Sequence, residues 1–368
     1  MAELFIGLMS GTSMDGIDAA LLDLSSSQPI ILATHSHRYP AWLHKQLEAA
    51  LALTEPLHAD LTALDNEVGE CFAAAANALL LASCVDTSAI IAIGSHGQTI
   101  RHEPDSPNPY SLQFGNPTII AARTGIDVVA DFRRADIEAG GQGAPLAPAF
   151  HKAVFETPAE NRVVLNLGGI ANITTLAADT SVAVTGFDTG PASTLMDYWA
   201  QQHLNTTMDE SGRWAAGGEI DKALLMNMLA DCYFSMAPPK STGREYFNAH
   251  WLNTFISTSQ TPAQSIQTTL CELSAKSIAD AVHDFARDTH RIIVCGGGAH
   301  NAYLMTRLRA NLPGIAVDSA ALHGIDPDWV EAAAFAWLAK RRLDERPGNI
   351  PEVTGASQPV LLGDIFRY

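Results

Sequence analysis

The chain has 368 residues, 47% of them apolar and 17% charged, which is enough for a sizeable core in about two domains or lobes and excludes disorder as its main state. Its 22 Lys+Arg stand against 40 Asp+Glu, a net charge of −18 that repels phosphate backbones and anionic lipid headgroups. Nucleic acid and membrane surfaces are therefore not expected as partners.

Five scattered cysteines, Cys71, Cys84, Cys232, Cys271 and Cys295, form no C-x-x-C pair. Their odd number and spacing fit reduced thiols rather than a disulfide framework or a zinc knuckle. Met1-Ala2-Glu3 leads at once into a strand-like run, without the pattern of a signal peptide. The apolar run Cys71–Val85 is shorter than the roughly 20 residues of a membrane span. A soluble, cytoplasmic protein is expected.

Four β-prone runs stop at glycines or small polar residues. Leu4–Met9 meets Ser10-Gly11-Thr12-Ser13-Met14-Asp15-Gly16, and a second apolar run follows from Ile17 to Leu24. Helical spacing of apolar residues then marks 41–53 and 60–82. The second β-prone run, Ala89–Ile93, ends at Gly94-Ser95-His96-Gly97-Gln98-Thr99. The stretch 136–148, rich in Gly, Ala and Pro, reads as a loop and a lobe crossover. The third run, Val163–Leu167, meets Gly168-Gly169 and resumes at Ile170, and a helix is expected over 189–202. Another helix is expected over 264–287, before the fourth run, Ile292–Cys295, which meets Gly296-Gly297-Gly298-Ala299-His300-Asn301. Helices over 301–311 and 327–342 follow, and the tail, strand-like over 359–363, is expected to return to the first lobe.

In order, these runs read hairpin, strand–turn, hairpin, strand–turn. That is one architecture used twice, two similar α/β lobes with a cleft between them. The expected lobes are residues 1–130 with 347–368, and residues 131–346.

No G-x-x-x-x-G-K-[ST] occurs, no G-x-G-x-x-G follows a strand, and the protein-kinase set is missing. What remains is glycine turns interleaved with Ser, Thr and Asp, whose N–H groups and hydroxyls can hold phosphate oxygens without a lysine. Gly7 to Asp18 is the densest candidate, with Asp15 or Asp18 able to hold a Mg²⁺ hydration shell, although an ordinary polar turn fits as well. Asn166, Gly168 and Gly169 carry the same two readings. At Gly296-Gly297-Gly298 a flat purine or ribose against the backbone competes with tight strand–helix packing.

Asp188, between Gly186 and Gly190, is the most informative carboxylate: a general base for phosphoryl transfer, or the N-cap of the helix after it. His96 and His102 lack a third metal ligand at a sensible spacing, and substrate contact by His96 and Gln98 is the better reading. Arg133-Arg134 can grip a carboxylate bidentately or lie ion-paired in a loop. Glu331 is a cleft residue or a surface one, and Lys240–Glu245 steers phosphates or is a polar loop.

Taken together, Gly7–Asp18, Gly94–His102, Val128–Pro148, Asn166–Thr174, Gly186–Pro191, Lys240–Asn248, Gly296–Asn301 and Pro327–Leu338 resemble one family, the anhydro-N-acetylmuramic acid kinases of peptidoglycan recycling. The resemblance runs in order over almost the whole chain. It implies a two-lobed actin/hexokinase-like (ribonuclease H-like) ATPase fold, a homodimer, and use of ATP with Mg²⁺. The implied reaction opens the anhydro bridge of 1,6-anhydro-N-acetylmuramic acid with water and phosphorylates O6. By the same resemblance Asp188 is the base, Glu331 positions the sugar, and one of Arg133 and Arg134 pairs with it. Gly11, Thr12, Ser13, Met14, Asp15, Gly16, Ile17, Asp18, Asn166, Gly168, Gly169, Gly296, Gly297 and Asn301 would hold the nucleotide. The alternatives are an ordinary sugar or acetate kinase of the same fold, or a nucleotide-dependent binding module.

Overall fold

The structure is a computed structural model that describes residues 2–11, 14, 16–52, 61–257 and 259–368. Thr12, Ser13 and Asp15, three of the expected nucleotide-holding residues, lie outside the described residues, as does Leu53 at the end of the first expected helix. In chain order the strands are β1 (Leu4–Ser10), β2 (Ile17–Asp23), β3 (Ile30–His37), β4 (Ile90–Glu103), β5 (Tyr110–Phe114), β6 (Val128–Ala130), β7 (Arg162–Leu167), β8 (Ile170–Leu176), β9 (Thr185–Pro191), β10 (Arg291–Cys295), β11 (Ala316–Ser319) and β12 (Asp364–Phe366).

The chain divides into two compact units, Met1–Val154 with Trp329–Tyr368, and Phe155–Asp328. In the first unit the sheet order is β12-β6-β4-β1-β2-β3, with β5 paired to β4. β1, β2 and β3 are successively antiparallel, while β4 is parallel to β1 and β6 parallel to β4. In the second unit the order is β11-β10-β7-β8-β9, with β7, β8 and β9 successively antiparallel, β10 parallel to β7 and β11 parallel to β10. Five strands match in order and direction, β6-β4-β1-β2-β3 against β11-β10-β7-β8-β9, with β5 and β12 additional in the first unit, so the duplication expected from the sequence is present in the topology.

The limits of the units differ from those expected, for two physical reasons. The helix Val330–Leu343 packs on β1 and β4 where Gly7 and Gly94 lie side by side in register. A Cβ at Gly7 would overlap the carbonyl oxygen of Ala332, and one at Gly94 that of Phe335. These two glycines let a helix backbone approach the sheet, so they serve packing rather than a ligand. The run 89–93 does not end at Gly94 but continues as one strand to Glu103.

The second reason is Asp136, which is fully buried. Its Oδ1 accepts from Asn349 Nδ2 and Thr354 Oγ1, each at 2.7 Å, and its Oδ2 accepts from Gly143 N at 2.7 Å. The segment after β6 is thereby tied to the tail within the first unit. That segment is only partly a loop, since Arg134–Glu138 is helical. The tail does return to the first unit, but its strand is β12, antiparallel to β6, rather than 359–363.

Each unit has its own apolar core. One gathers Ile6, Leu8, Ile17, Leu21, Phe72 and Leu79, the other Val163, Leu165, Phe187, Leu270, Ile278 and Val294, all almost without exposure. Among the described residues no helix is long and apolar enough to cross a membrane.

Candidate functional site

In the second unit β7 and β8 form the hairpin read from the sequence, with Gly168-Gly169 at its tip and Leu167 paired to Ala171 across it. The carbonyl of Gly168 accepts from Ser193 N at 3.1 Å, and that of Gly169 from Ala192 N at 2.9 Å and Thr194 N at 3.2 Å. The hairpin tip is thus pinned to the start of the helix Ser193–Leu204. That helix begins after Pro191, so Thr189 belongs to β9 and not to a helix as expected. Its N-cap is Ala192, with no side-chain cap, which removes the N-cap reading of Asp188.

Asp188 sits on β9 opposite Asn172 of β8. Its N–H donates to Lys240 O at 3.2 Å, its carbonyl accepts from Tyr233 OH at 2.8 Å, and its Oδ2 accepts from Thr242 N at 2.9 Å. Burial pushes its carboxyl up to about 6, and the Glu245 charge adds to this; the Thr242 N–H and the Lys240 ammonium pull the other way. A residue fixed through both backbone groups, with one carboxylate oxygen held by Thr242 N–H and the carboxyl titrating near 6, suits a general base. Lys240 is itself buried, donates to Tyr233 O at 3.2 Å and lies 4.7 Å from the centre of the Tyr233 ring. Burial lowers its pKa, against Asp188 and Asp284. The contributions of Thr242 and Tyr233 were missed in the sequence. Thr242 lies in the polar loop noted there, whereas Tyr233 carries no local signal.

A cavity of about 210 Å³ is lined by Thr189, Phe234, Lys240, Ser277, Asp280 and Asp284, among others, but not by Asp188. Thr189, which lines it, is the extra residue of a bulge in β9, since Asp188 pairs with Asn172 and Gly190 with Ala171.

After β10, Gly296 has φ +79°, and a Cβ there would sit 2.5 Å from Asn166 Oδ1 and 2.8 Å from Leu167 O. A Cβ at Gly298 would sit 2.6 Å from Leu167 Cβ, while Gly297 faces open space. Strand packing accounts for Gly296 and Gly298, and Gly297 alone leaves room for a ligand. Asn301 Oδ1 accepts from Leu304 N at 3.0 Å as the N-cap of the helix Ala302–Asn311, so that oxygen already has a structural use.

In the first unit the turn between β1 and β2 holds Gly11, Met14 and Gly16 among the described residues. Met14 has φ +56° and donates its N–H to Gly11 O at 3.1 Å. The side chains of Met14 and Ile17 are in the core, so only their backbone can meet a ligand. Asp18 is half-buried and accepts from Ser36 Oγ at 2.6 Å. Gln98 is fully buried and its amide is committed: Nε2 donates to Gly11 O at 3.2 Å and Oε1 accepts from Ser10 Oγ at 2.7 Å. It braces the glycine turn instead of presenting itself to a substrate.

His96 is buried, and its Nε2 accepts from Arg133 Nη2 at 2.8 Å while its Nδ1 finds no partner. Nε2 is therefore the bare nitrogen and Nδ1 carries the hydrogen of the neutral ring. Burial, with the Arg133 charge, pulls its pKa well below the usual histidine value. Arg133 also donates to Gly143 O at 2.7 Å, and burial brings its guanidinium down to about 10 against the charges of Glu331 and Asp136. Glu331 stands in the first turn of Val330–Leu343 with part of its surface in solvent. Desolvation by the surrounding protein raises its pKa, Asp18 adds to this and Arg133 opposes it. His96, Arg133, Glu331 and Asp18 thus form one electrostatically coupled group. Arg134 turns outward to Asp131, Glu138 and Asp364, so the two arginines separate into an inner and a surface residue.

Two sheets of the same order, each with a glycine hairpin, define an actin/hexokinase-like ATPase fold of the ribonuclease H-like type. The family model described as anhydro-N-acetylmuramic acid kinase matches residues 3–368. A relative of that name from Shewanella oneidensis is 50% identical over 364 residues, 98% of each chain, and one from Coxiella burnetii is 46% identical over 99% of this chain and 97% of its own. The chain belongs to the anhydro-N-acetylmuramic acid kinase family, a family of phosphotransferases. Among solved structures, the activator of the 2-hydroxyisocaproyl-CoA dehydratase from Clostridium difficile with bound ADPNP aligns at TM-score 0.47 and 10% identity, over 93% of this chain and 96% of its own.

Proposed function

We propose that the protein couples hydrolysis of the 1,6-anhydro bridge of anhydro-N-acetylmuramic acid to phosphorylation of O6 by ATP, giving N-acetylmuramic acid 6-phosphate and ADP. The observation that carries this reading is Asp188, a carboxylate braced by Thr242 N–H and by the Tyr233 hydroxyl on its carbonyl, and titrating near 6. At neutral pH it is ionised and a competent base. It takes a proton from water as the water oxygen bonds to C1. The C1–O6 bond breaks and leaves O6 with the electron pair, and O6 then bonds to the γ-phosphorus as ADP departs.

Glu331 and Arg133, coupled to His96, are assigned to the sugar, Arg133 to an anionic or polar group on it. Arg134 is assigned no ligand, and Gln98 is assigned to holding the Gly11 turn. The backbone from Gly11 to Asp18, with Gly168, Gly169 and Gly297, is assigned to the nucleotide, and Asn166, Gly296 and Asn301 to the frame around it. Among the described residues no three His, Cys, Asp or Glu cluster as metal ligands. This fits a Mg²⁺ that arrives on the phosphates of ATP and neutralises their charge, with Asp18 the described carboxylate suited to its hydration shell. We place the enzyme in the cytoplasm as a homodimer.

The test is a product assay with the anhydro-sugar, MgATP and ¹⁸O-water, in parallel with Asp188→Asn. Expected are ADP, a sugar 6-phosphate and ¹⁸O at C1, with turnover lost and ATP binding kept in the variant. Phosphorylation of free sugars without turnover of the anhydro-sugar would sink the reading and leave an ordinary sugar kinase.

A further inference from the structure

Two side chains flank the Gly168-Gly169 turn from opposite origins. A Cβ at Gly169 would lie 2.7 Å from Thr194 Oγ1 and 3.2 Å from both Nε and Nη2 of Arg244. Neither group is in use. Thr194 Oγ1 is buried without a partner. Arg244 makes no hydrogen bond or ion pair with any described residue. By contrast Arg123, Arg134, Arg162, Arg291 and Arg307 all sit on carboxylates. The adjacent Glu245 does not take it up either, because its carboxylate folds back over Gly243.

The backbone carrying Arg244 is anchored on both sides. Upstream, Thr242 N holds Asp188 Oδ2; downstream, Phe247 is fully buried and donates its N–H to Gly243 O at 3.1 Å. The N–H groups of Ala192, Ser193 and Thr194 are already taken by the carbonyls of the turn. The start of this helix therefore offers an anion at the tip no N–H group from those three residues, and the side chains available there beside the turn's own backbone are a guanidinium and a hydroxyl.

We infer that Arg244, with the Thr194 hydroxyl, receives the terminal phosphoryl group of ATP at the Gly168-Gly169 turn. This rests on the kinase reading above and adds to it a cation for the transferring group. A planar guanidinium can donate to two phosphoryl oxygens at once and meets the charge that spreads over them during transfer. The same loop delivers an N–H to Asp188 and a cation to the phosphoryl group, so one segment orders the base and the group being transferred.

The test is calorimetric titration of the full chain, in Mg²⁺, with ADP and with a non-hydrolysable ATP analogue. Arg244→Met is expected to bind ADP within about twofold of wild type and the analogue about tenfold or more weaker. Its kcat is expected to fall about a thousandfold. Arg244→Lys should recover part of the affinity for the analogue but little of kcat, because an ammonium lacks the fork. Equal binding of both nucleotides by wild type and Arg244→Met, or equal weakening of both by the substitution, would overturn the inference. A wild-type chain that binds neither nucleotide would overturn the kinase reading, and the inference with it.

Discussion

Asp188→Asn should make the protein more stable while it abolishes turnover, and the gain should depend on pH. The ordinary aspartate value of 3.8 rises to about 6 in the folded chain, chiefly through burial. A rise of that size corresponds to about 3 kcal/mol, and partial solvent access brings the figure to about 2–3 kcal/mol. The folded state holds on to a proton that the unfolded chain has already lost, so stability falls as pH rises from about 4 through 6 and stays lowered above that. Asparagine removes the charge and keeps an oxygen for the Thr242 N–H. At pH 8 the variant should therefore melt about 4–12 °C above wild type, using about 2–4 °C per kcal/mol for a unit of this size. Near pH 4 the difference should vanish. Differential scanning calorimetry of both proteins at the two pH values decides it. An equal gain at pH 4 and pH 8, or none at pH 8, would refute the argument that burial of this charge sets its pKa. The same displacement predicts that wild-type turnover falls off below about pH 6 as the base is protonated.

Gly94→Ala would press a methyl group into the Phe335 carbonyl, and overpacking of that kind costs about 1–3 kcal/mol. The variant should melt at least about 2 °C lower and lose activity, because the helix that must retreat carries Glu331; an unchanged melting point would contradict the packing account. Arg134→Ala should change stability by less than about 1 kcal/mol and leave the KM for the sugar within about twofold, since its ion pairs are exposed. Arg133→Ala strips a donor from both His96 Nε2 and Gly143 O and should raise that KM about tenfold or more; steady-state kinetics showing the reverse order would reject the assignment of the inner arginine.

The doubled topology was legible because it lies in the order of β-prone runs, which survives when no side chain is shared between the halves. The Gly168-Gly169 turn was legible for a local reason, two glycines between two apolar runs. What escaped depends on contacts distant in sequence. Gly7 lies in the candidate ligand turn and Gly94 at the end of a β-prone run, and neither shows its packing use until Val330–Leu343 is seen lying on them, a contact that also moves residues 329–346 into the first unit. Thr189 read as helical because Gly186 and Gly190 blank out the alternation that marks β9. β3 escaped because its apolar run Ile30–Ala33 gives way to Thr34, His35, Ser36 and His37, and at the sheet edge none of its residues is buried. Asp188 stood out through its flanking glycines, but its choice between base and cap needed the true helix start. Arg133 and Arg134 are equivalent in sequence and separate only when one meets His96 and the other Asp131.

The first unit is discontinuous, with Phe155–Asp328 inserted between its halves. On the ribosome, residues up to Val154 emerge long before the helix Val330–Leu343 and β12. Until then the Gly7–Gly94 face is bare, β6 is paired only to β4, and Asp136 lacks the Asn349 and Thr354 donors. The inserted unit is continuous and can close on its own sheet as soon as it has left the tunnel. The order of completion in the cell is therefore the reverse of the order of synthesis, and the earliest residues made wait as an unfinished sheet for the last.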